Sequence, residues 1–382
     1  MILLRRLLTI CVLLGSACVA PADDAQLLQT IAQVGPGGRG SAAARVATTL
    51  LAERDLSIMA PLLEAMDTDN PVAANWYRTI FEHIVQRELK NDAASWPKSM
   101  LTDYVSDAGR RGRPRRRVLR LLDRLDAGFG TRWISGRLTD AEFRSDAVAA
   151  VLKQGDVELQ NGDRNAARSA FLLAFDHARD RQQVMESARK LQSIGEEADA
   201  IRHLGLVTQW WLTGPFAAPE KSGFELVFAP ESQVDLDSVY IGQNEAKFGW
   251  VRHSSEDALG QVNLVNVLRK ANEAVGYAWT EISVTRPVKA QLRCGADDCC
   301  KVWLNDKVVS EHEQWLNGTR FDRFIEEITL QEGRNSILVK VCQGPQHRNP
   351  EVFNNWSMQL RLCDKEGRGI AFESALAAED TE

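Results

Sequence analysis

Residues 295–306, GADDCCKVWLND, bring together two carboxylates (Asp297, Asp298), two adjacent thiols (Cys299, Cys300), an indole (Trp303) and an amide (Asn305). Each type suits a different chemistry. A pair of loop carboxylates supplies the hard oxygens that calcium takes, so Asp297 and Asp298 are candidates for a structural calcium, against the plainer reading of a solvated turn. No other cofactor is expected. An indole beside an amide or a cation suits a sugar, because the ring covers the apolar C–H face while Asn or Arg bonds the hydroxyls. Trp303 with Asn305 is one such candidate. Trp315 with Asn317 and Arg320, in the loop EHEQWLNGTRFD, is the other. Trp315 is the better placed, because loops carry binding residues and a mid-strand indole such as Trp303 is usually claimed by packing.

The cysteines read differently. Cys300, Val302 and Leu304 alternate with Lys301 and Trp303, and on the preceding strand Ala290, Leu292 and Cys294 form the apolar set. Facing like with like across the loop 295–299 puts Cys294 opposite Cys300 and turns Cys299 outward. The expected disulfide is therefore Cys294–Cys300. There is no C-x-x-C, and neither Cys342 nor Cys363 has a partner at zinc spacing. Motifs for catalysis are also missing: no G-x-S-x-G, no H-E-x-x-H, and none of the six histidines lies at i, i+4 from another. Glu326 and Glu327 are adjacent in a strand-like run and point to opposite faces, which is no glycosidase pair. The glycine-rich GPGGRGS (35–41) lacks the Gly-Lys-Ser/Thr of a phosphate loop and reads as a linker. The sequence reading is of a protein that is not an enzyme.

The N-terminus sets the compartment. MILLRRLLTICVLLGSACVAPADD has a basic start, an apolar run at 7–14, and Ala20-Pro21-Ala22 as a cleavage site, so residues 1–22 read as a secretory signal peptide. The apolar run is well short of the roughly 20 residues that span a bilayer, and no later segment is long enough, so no transmembrane segment is expected in the mature chain. Lipidation at Cys18 is a lesser option, since Gly15 stands where leucine is usual. Five of the seven cysteines remain after cleavage, all between 294 and 363, which suits one or two disulfides in an oxidising compartment with one thiol left over. The protein is expected to be periplasmic, cell-surface or secreted. The formal charge of −6 becomes −8 once Arg5 and Arg6 leave with the signal. That balance argues against nucleic acid as partner. The basic run GRRGRPRRRVLR (109–120) reads as a solvated helix face, with Arg116, Arg120 and Arg124 opposite a leucine stripe.

These groups must be positioned by two kinds of element. Residues 23–205 carry a helical period: Val118, Leu121, Leu122 and Leu125 fall at i, i+3, i+4 and i+7, and breaks such as DTDNP and LDAGFG separate units of about 15–20 residues. Stacked helical pairs of the HEAT or TPR kind fit this rhythm, with a TPR-like unit near 148–195 marked by Gly155, Ala167, Phe171 and Ala174. After GEEADAIRHLGLV the period becomes that of short strands separated by turn residues, the signature of a β-sandwich. Trp210, Trp211 and Phe216 at its start read as domain-interface packing. The expected map is an α-helical repeat domain at 23–205, a β-sandwich at 206–372 and an acidic flexible tail at 373–382.

The motifs QWWLTGPF (209–216), APESQVDL (229–236), YAWTEI (277–282), KVWLND (301–306) and EGRNSILVKVCQ (332–343), in that order, resemble a family of exported bacterial proteins. Its members join a helical repeat region to a galactose-binding-like jelly roll. The resemblance covers roughly 206–365 well and the helical half loosely. It implies a non-catalytic module, often for carbohydrate. Asn305-Asp306 stands where relatives tend to have Asn-Gly, and the Cys299-Cys300 pair is added, two departures from the family pattern at a loop that could carry binding residues. The expectation is an exported protein of the cell envelope that binds carbohydrate or envelope polysaccharide through its sandwich. The alternative is a scaffold whose helical repeats grip a protein partner.

Overall fold

A computed structural model describes residues 23–378 apart from 92, 316–317, 350 and 352–354. The chain divides into two compact units, meeting at Trp133 and Ile134. The expected signal peptide, Asn317 and the last four residues lie outside the described residues.

The first unit is helical: α1 (Asp24–Ala32), α2 (Ser41–Ala52), α3 (Met59–Met66), α4 (Pro71–Glu88), α5 (Lys98–Ser106), α6 (Gly112–Leu125) and α7 (Phe129–Ile134). Local chemistry starts the elements where the sequence suggests. Asn70 caps α4 by accepting the amides of Val72 and Ala73, and Pro71 takes the first helical position, where its missing N–H costs nothing. The glycine-rich stretch makes the short connection from α1 to α2. On α6, Val118, Leu119, Leu121 and Leu122 are buried. The basic run departs from a purely solvated face. Arg115 is buried and donates from Nε to the Val105 carbonyl (3.0 Å), Arg110 clasps Glu64 with two bonds of 2.8 and 2.6 Å, and Arg117 pairs with Glu82. Much of its charge is thus met inside the unit.

The second unit begins with α8 (Arg144–Gln160), α9 (Arg164–His177), α10 (Arg181–Ser193) and α11 (Ala200–Leu204). Gly155 of α8 lies so close to Phe171 of α9 that a Cβ there would come within 2.4 Å of the ring, and Ala167, Phe171 and Ala174 are fully buried. Then come β1 (Gln209–Ala217), α12 (Ala229–Ser232), β2 (Tyr240–Ile241), β3 (Lys247–Phe248), β4 (Val251–Ser254), β5 (Val262–Asn263), α13 (Leu264–Val267) and β6 (Ala274–Val284). The rest is β7 (Val288–Ala296), β8 (Cys300–Leu304), β9 (Lys307–His312), β10 (Phe324–Leu330), β11 (Gly333–Gln343), β12 (Ser357–Cys363), β13 (Glu373–Ser374) and α14 (Ala375–Ala378). Helices therefore precede antiparallel sheets. Residues 373–378, expected in a flexible tail, instead form β13, which pairs with β6, and α14. Among the described residues no helix is long and apolar enough to cross a membrane.

One sheet runs β4-β1-β6-β11-β8-β9, with β13 also on β6; a second runs β10-β7-β12-β5. Their facing sides share one core, in which Trp210, Leu212, Ala278, Ile282, Val302 and Val339 of the first sheet meet Leu292, Cys294, Leu360 and Leu362 of the second. The alternation read at 290–294 and 300–304 thus points to the core as expected. The strands on either side of the loop 295–299, expected to face each other as neighbours, do not pair. β7 pairs with β10 and β12, while β8 pairs with β11 and β9, so residues 297–299 cross from one sheet to the other. The hairpin partner of β8 is β9, through Asn305 and Asp306 at φ 50° and 63°, the left-handed pair that a tight two-residue turn requires.

β12 of the second sheet borders α11 and the residues after it: the Val207 amide donates to the Leu360 carbonyl (3.0 Å) and the Leu362 amide to the Gly205 carbonyl (2.8 Å). Arg361, with 1% exposure, donates to Asp322 through Nε (2.7 Å) and Nη2 (2.5 Å), and through Nη1 to the carbonyls of Leu204 (3.1 Å) and Gly367 (3.0 Å). Leu204 and Leu206 share a core cluster with Phe171, Leu191, Leu259 and Phe321, so helices α8–α11 and the sheets are one packed body.

Candidate functional site

The outer side of the larger sheet carries aligned cross-strand rows. One row reads Trp211, Trp279, Leu338, Trp303, Val308; the next reads Thr213, Tyr277, Lys340, Lys301, Glu311. The connection between β1 and β4 covers this side, laying Phe224, Phe228, Val234, Leu236, Tyr240, Phe248 and Trp250 over Phe216, Tyr277 and Trp303. A buried polar clasp holds the cover down. Lys340, fully buried, donates to Glu231 (2.8 Å) and to the carbonyls of Phe224 and Leu226, and the Tyr277 hydroxyl donates to the same Glu231 carboxylate. Burial, and then the Glu231 carboxylate, push the Tyr277 phenol far above its usual range.

The expected interface trio separates accordingly. Trp210 lies in the core with no exposure and donates from Nε1 to the Val207 carbonyl, Phe216 is central to the covered aromatic cluster, and Trp211 is half-buried on the outer row. Trp211 and Trp279 were not singled out as a pair in the sequence; their alternation within QWWLTG and YAWTEI, once aligned, is the signal that would have shown them.

Trp303 and Trp315 both border the covered aromatic cluster, from different ends of β8. Trp303 is 8% exposed, beneath Pro230–Val234. Asn305 spends its amide on the fold, donating to Asn335 Oδ1 (3.0 Å) and accepting the Ser336 amide (2.9 Å). Trp315 packs at the opposite end of β8, beside Cys299, four residues or roughly 13 Å of strand rise from Trp303. There its ring edge meets Gly344, where a Cβ would lie 3.3 Å from the indole and 3.0 Å from the Asp298 carboxylate. Trp315 is half-buried, with Nε1 donating to Glu313 (3.2 Å) and the Lys221 ammonium 5.6 Å from the ring centre. Arg320 is exposed, and its backbone crosses Gly295.

Asp297 and Asp298 are not a solvated turn. They are 7% and 1% exposed, because the crossing between sheets carries them beneath Gln314, Gly318, Thr319 and Gly344. Asp298 accepts the Gly344 amide (2.7 Å), and its carbonyl accepts from Gln314 Nε2 (3.3 Å). Burial and then the charge of Asp298 raise the Asp297 carboxyl to about 6, partly offset by the Thr319 amide. Among the described residues no group of three or more His, Cys, Asp or Glu is arranged to hold a metal ion. The sign of the shift gives a prediction. A carboxyl raised from 3.8 to about 6 adds stability that is complete below pH 4 and lost as pH rises through 6. Asp297→Asn should therefore melt close to wild type at pH 4 and above it at pH 7, a difference that scanning calorimetry across that range reads directly.

The thiols occupy both sides of β8. Cys300 faces Cys294 in the core with sulfurs 3.5 Å apart. Cys299 does turn to the outer side, yet it is fully buried there, beside Cys342, under the covering connection. Cys363 is buried on the outer side of the second sheet.

No family model and no curated protein matches the chain. Parts of solved structures are similar to it. A β-glucosidase from Kluyveromyces marxianus in complex with glucose is 12% identical over 41% of this chain and 16% of that one, with a TM-score of 0.25. A putative β-galactosidase from Bacteroides fragilis is 14% identical over 41% and 24%, with a TM-score of 0.24. A β-glucuronidase from Faecalibacterium prausnitzii is 14% identical over 42% and 31%, with a TM-score of 0.21. The matches thus take in less than a third of those chains. The expectation that the protein is no enzyme is corrected by these neighbours, which are glycoside hydrolases, and it is not carried forward. At such scores the likeness assigns no activity to this chain.

Proposed function

We propose that this is an exported protein of the cell envelope whose sheets form a galactose-binding-like jelly roll, and that the corner around Trp315 binds carbohydrate. One observation carries the reading. A half-buried indole is seated against Gly344 and the buried Asp298, with the Lys221 ammonium near its ring and the Glu313 carboxylate at its edge. That arrangement offers an apolar surface for a sugar ring together with groups that accept and donate hydrogen bonds to hydroxyls. Export rests on the character of residues 1–22, and the TPR-like reading of α8–α10 on the contact of Gly155 with Phe171.

The scaffold reading gains less. A depression of about 850 Å³ on the helical unit is lined by Asp24, Glu64, Asp67, Asp69 and Tyr77 as well as apolar groups. Those side chains are spent on Arg54, Arg110, Arg111 and the Leu28 carbonyl. Trp315→Ala is expected to leave the melting temperature nearly unchanged while weakening retention of the full chain on immobilised polysaccharide. Trp303→Ala should mainly destabilise. Unfolding of Trp315→Ala, or retention unaltered by it, would remove the corner from the account.

A further inference from the structure

Cys299 and Cys300 are consecutive residues of an extended segment, so their side chains leave on opposite sides of the sheet. Each side supplies a second cysteine. In the core, the sulfur of Cys300 is 3.5 Å from that of Cys294. On the outer side, the register that pairs Cys300 with Val341 sets Cys299 directly opposite Cys342, and the Cys342 amide donates to the Cys299 carbonyl (2.9 Å). Directly opposed residues of antiparallel strands have Cα atoms roughly 4.5–5.5 Å apart, within the span a disulfide bridges.

We propose that Cys299 and Cys342 form a second disulfide beside Cys294–Cys300. The two bonds would tie the crossing segment to β7 through the core and to β11 beneath the aromatic cover, leaving Cys363 as the one thiol. The Cys299 sulfur already accepts the Gln314 amide (3.2 Å) and donates to the Gln314 carbonyl (3.0 Å), so this staple sits directly under the residue before Trp315. The sulfur pairing does not rest on the carbohydrate reading; only its consequence for Trp315 does.

The bond forms by exchange with a small-molecule disulfide such as oxidised glutathione. The Cys299 thiolate attacks it, expels one thiol and is left as a mixed disulfide. The Cys342 thiolate then attacks the Cys299 sulfur and expels the second thiol, so the two electrons and two protons of the pair end on the carrier. In the folded chain both sulfurs have no exposure, and the Cys342 thiol is held far above its usual range by its hydrogen bond with the Cys299 thiol and by burial. Exchange therefore takes place during folding, before residues 219–250 close over Cys342.

Trypsin cutting after Arg293, Lys301, Lys340 and Arg348 isolates the pairing. The full chain is refolded with oxidised and reduced glutathione, capped with iodoacetamide in denaturant and digested without reductant. Wild type should give peptide 294–301 joined to peptide 341–348, with no capped cysteine in either and Cys363 capped. Cys299→Ser should release 341–348 with Cys342 capped while 294–301 keeps its internal bond. Cys300→Ser should retain the joined peptides, with Cys294 capped. A capped 341–348 in wild type, or its release by Cys300→Ser, would overturn the assignment.

Discussion

Replacing Lys340 with methionine is expected to destabilise the chain by about 3–5 kcal/mol, the cost of removing one partner from a buried ion pair. Lys340 has no exposed side-chain surface and Glu231 has 8%. Methionine matches the length of the lysine stem but leaves the Glu231 carboxylate without its cation and the carbonyls of Phe224 and Leu226 without their donor. Adding Glu231→Gln should recover a large part of the loss, because the amide is neutral and its oxygen still accepts from Tyr277. Urea unfolding of the single and double variants measures both effects. The pair clasps the connection that covers Phe216, Tyr277 and Trp303, so hydrogen exchange in the Lys340→Met variant should rise first in residues 219–240.

Arg361→Ala is expected to cost a similar amount, about 3–5 kcal/mol, for a different reason of placement. Its guanidinium bonds Asp322 with two donors and the Leu204 and Gly367 carbonyls with a third nitrogen. Arg293 still reaches Asp322 (3.0 Å), so the carboxylate keeps one cation, but the two carbonyls are orphaned. Lysine cannot reproduce the planar fork, and Arg361→Lys should restore little. Because Leu204 ends α11, the loss should appear as earlier hydrogen exchange in α9–α11 relative to the inner strands, which fast digestion and mass spectrometry resolve.

The order of helices before antiparallel strands was legible, and so were the core-facing sets at 290–294 and 300–304. Alternation reports which side of a strand is buried, though not which strand lies beside it. The loop 295–299 is short enough for a hairpin and long enough to cross between facing sheets, and only the pairing of β8 with β11 and β9 decides. The burial of Asp297 and Asp298 was hidden for the same reason: their neighbours Gly344, Thr319 and Gln314 are distant in sequence. Arg115 shows the limit of reading a basic run by its helix face, since the carbonyl of Val105 receives it from another helix. Cys299 faces outward as its alternation requires, and is buried because a connection with little regular structure carries Phe224, Phe228, Tyr240, Phe248 and Trp250 over it. Those aromatic residues, unusual in a stretch otherwise rich in turn residues, were the available sign of a cover.

A glycan array probed with the full chain tests the central claim most directly. Wild type should bind a definite set of glycans, and Trp315→Ala, folded by its unchanged melting temperature, should bind the same set roughly tenfold or more weakly, as loss of an aromatic anchor of about 1.4 kcal/mol or more implies. Binding of no glycan by wild type, or equal binding by Trp315→Ala, would contradict carbohydrate recognition at this corner.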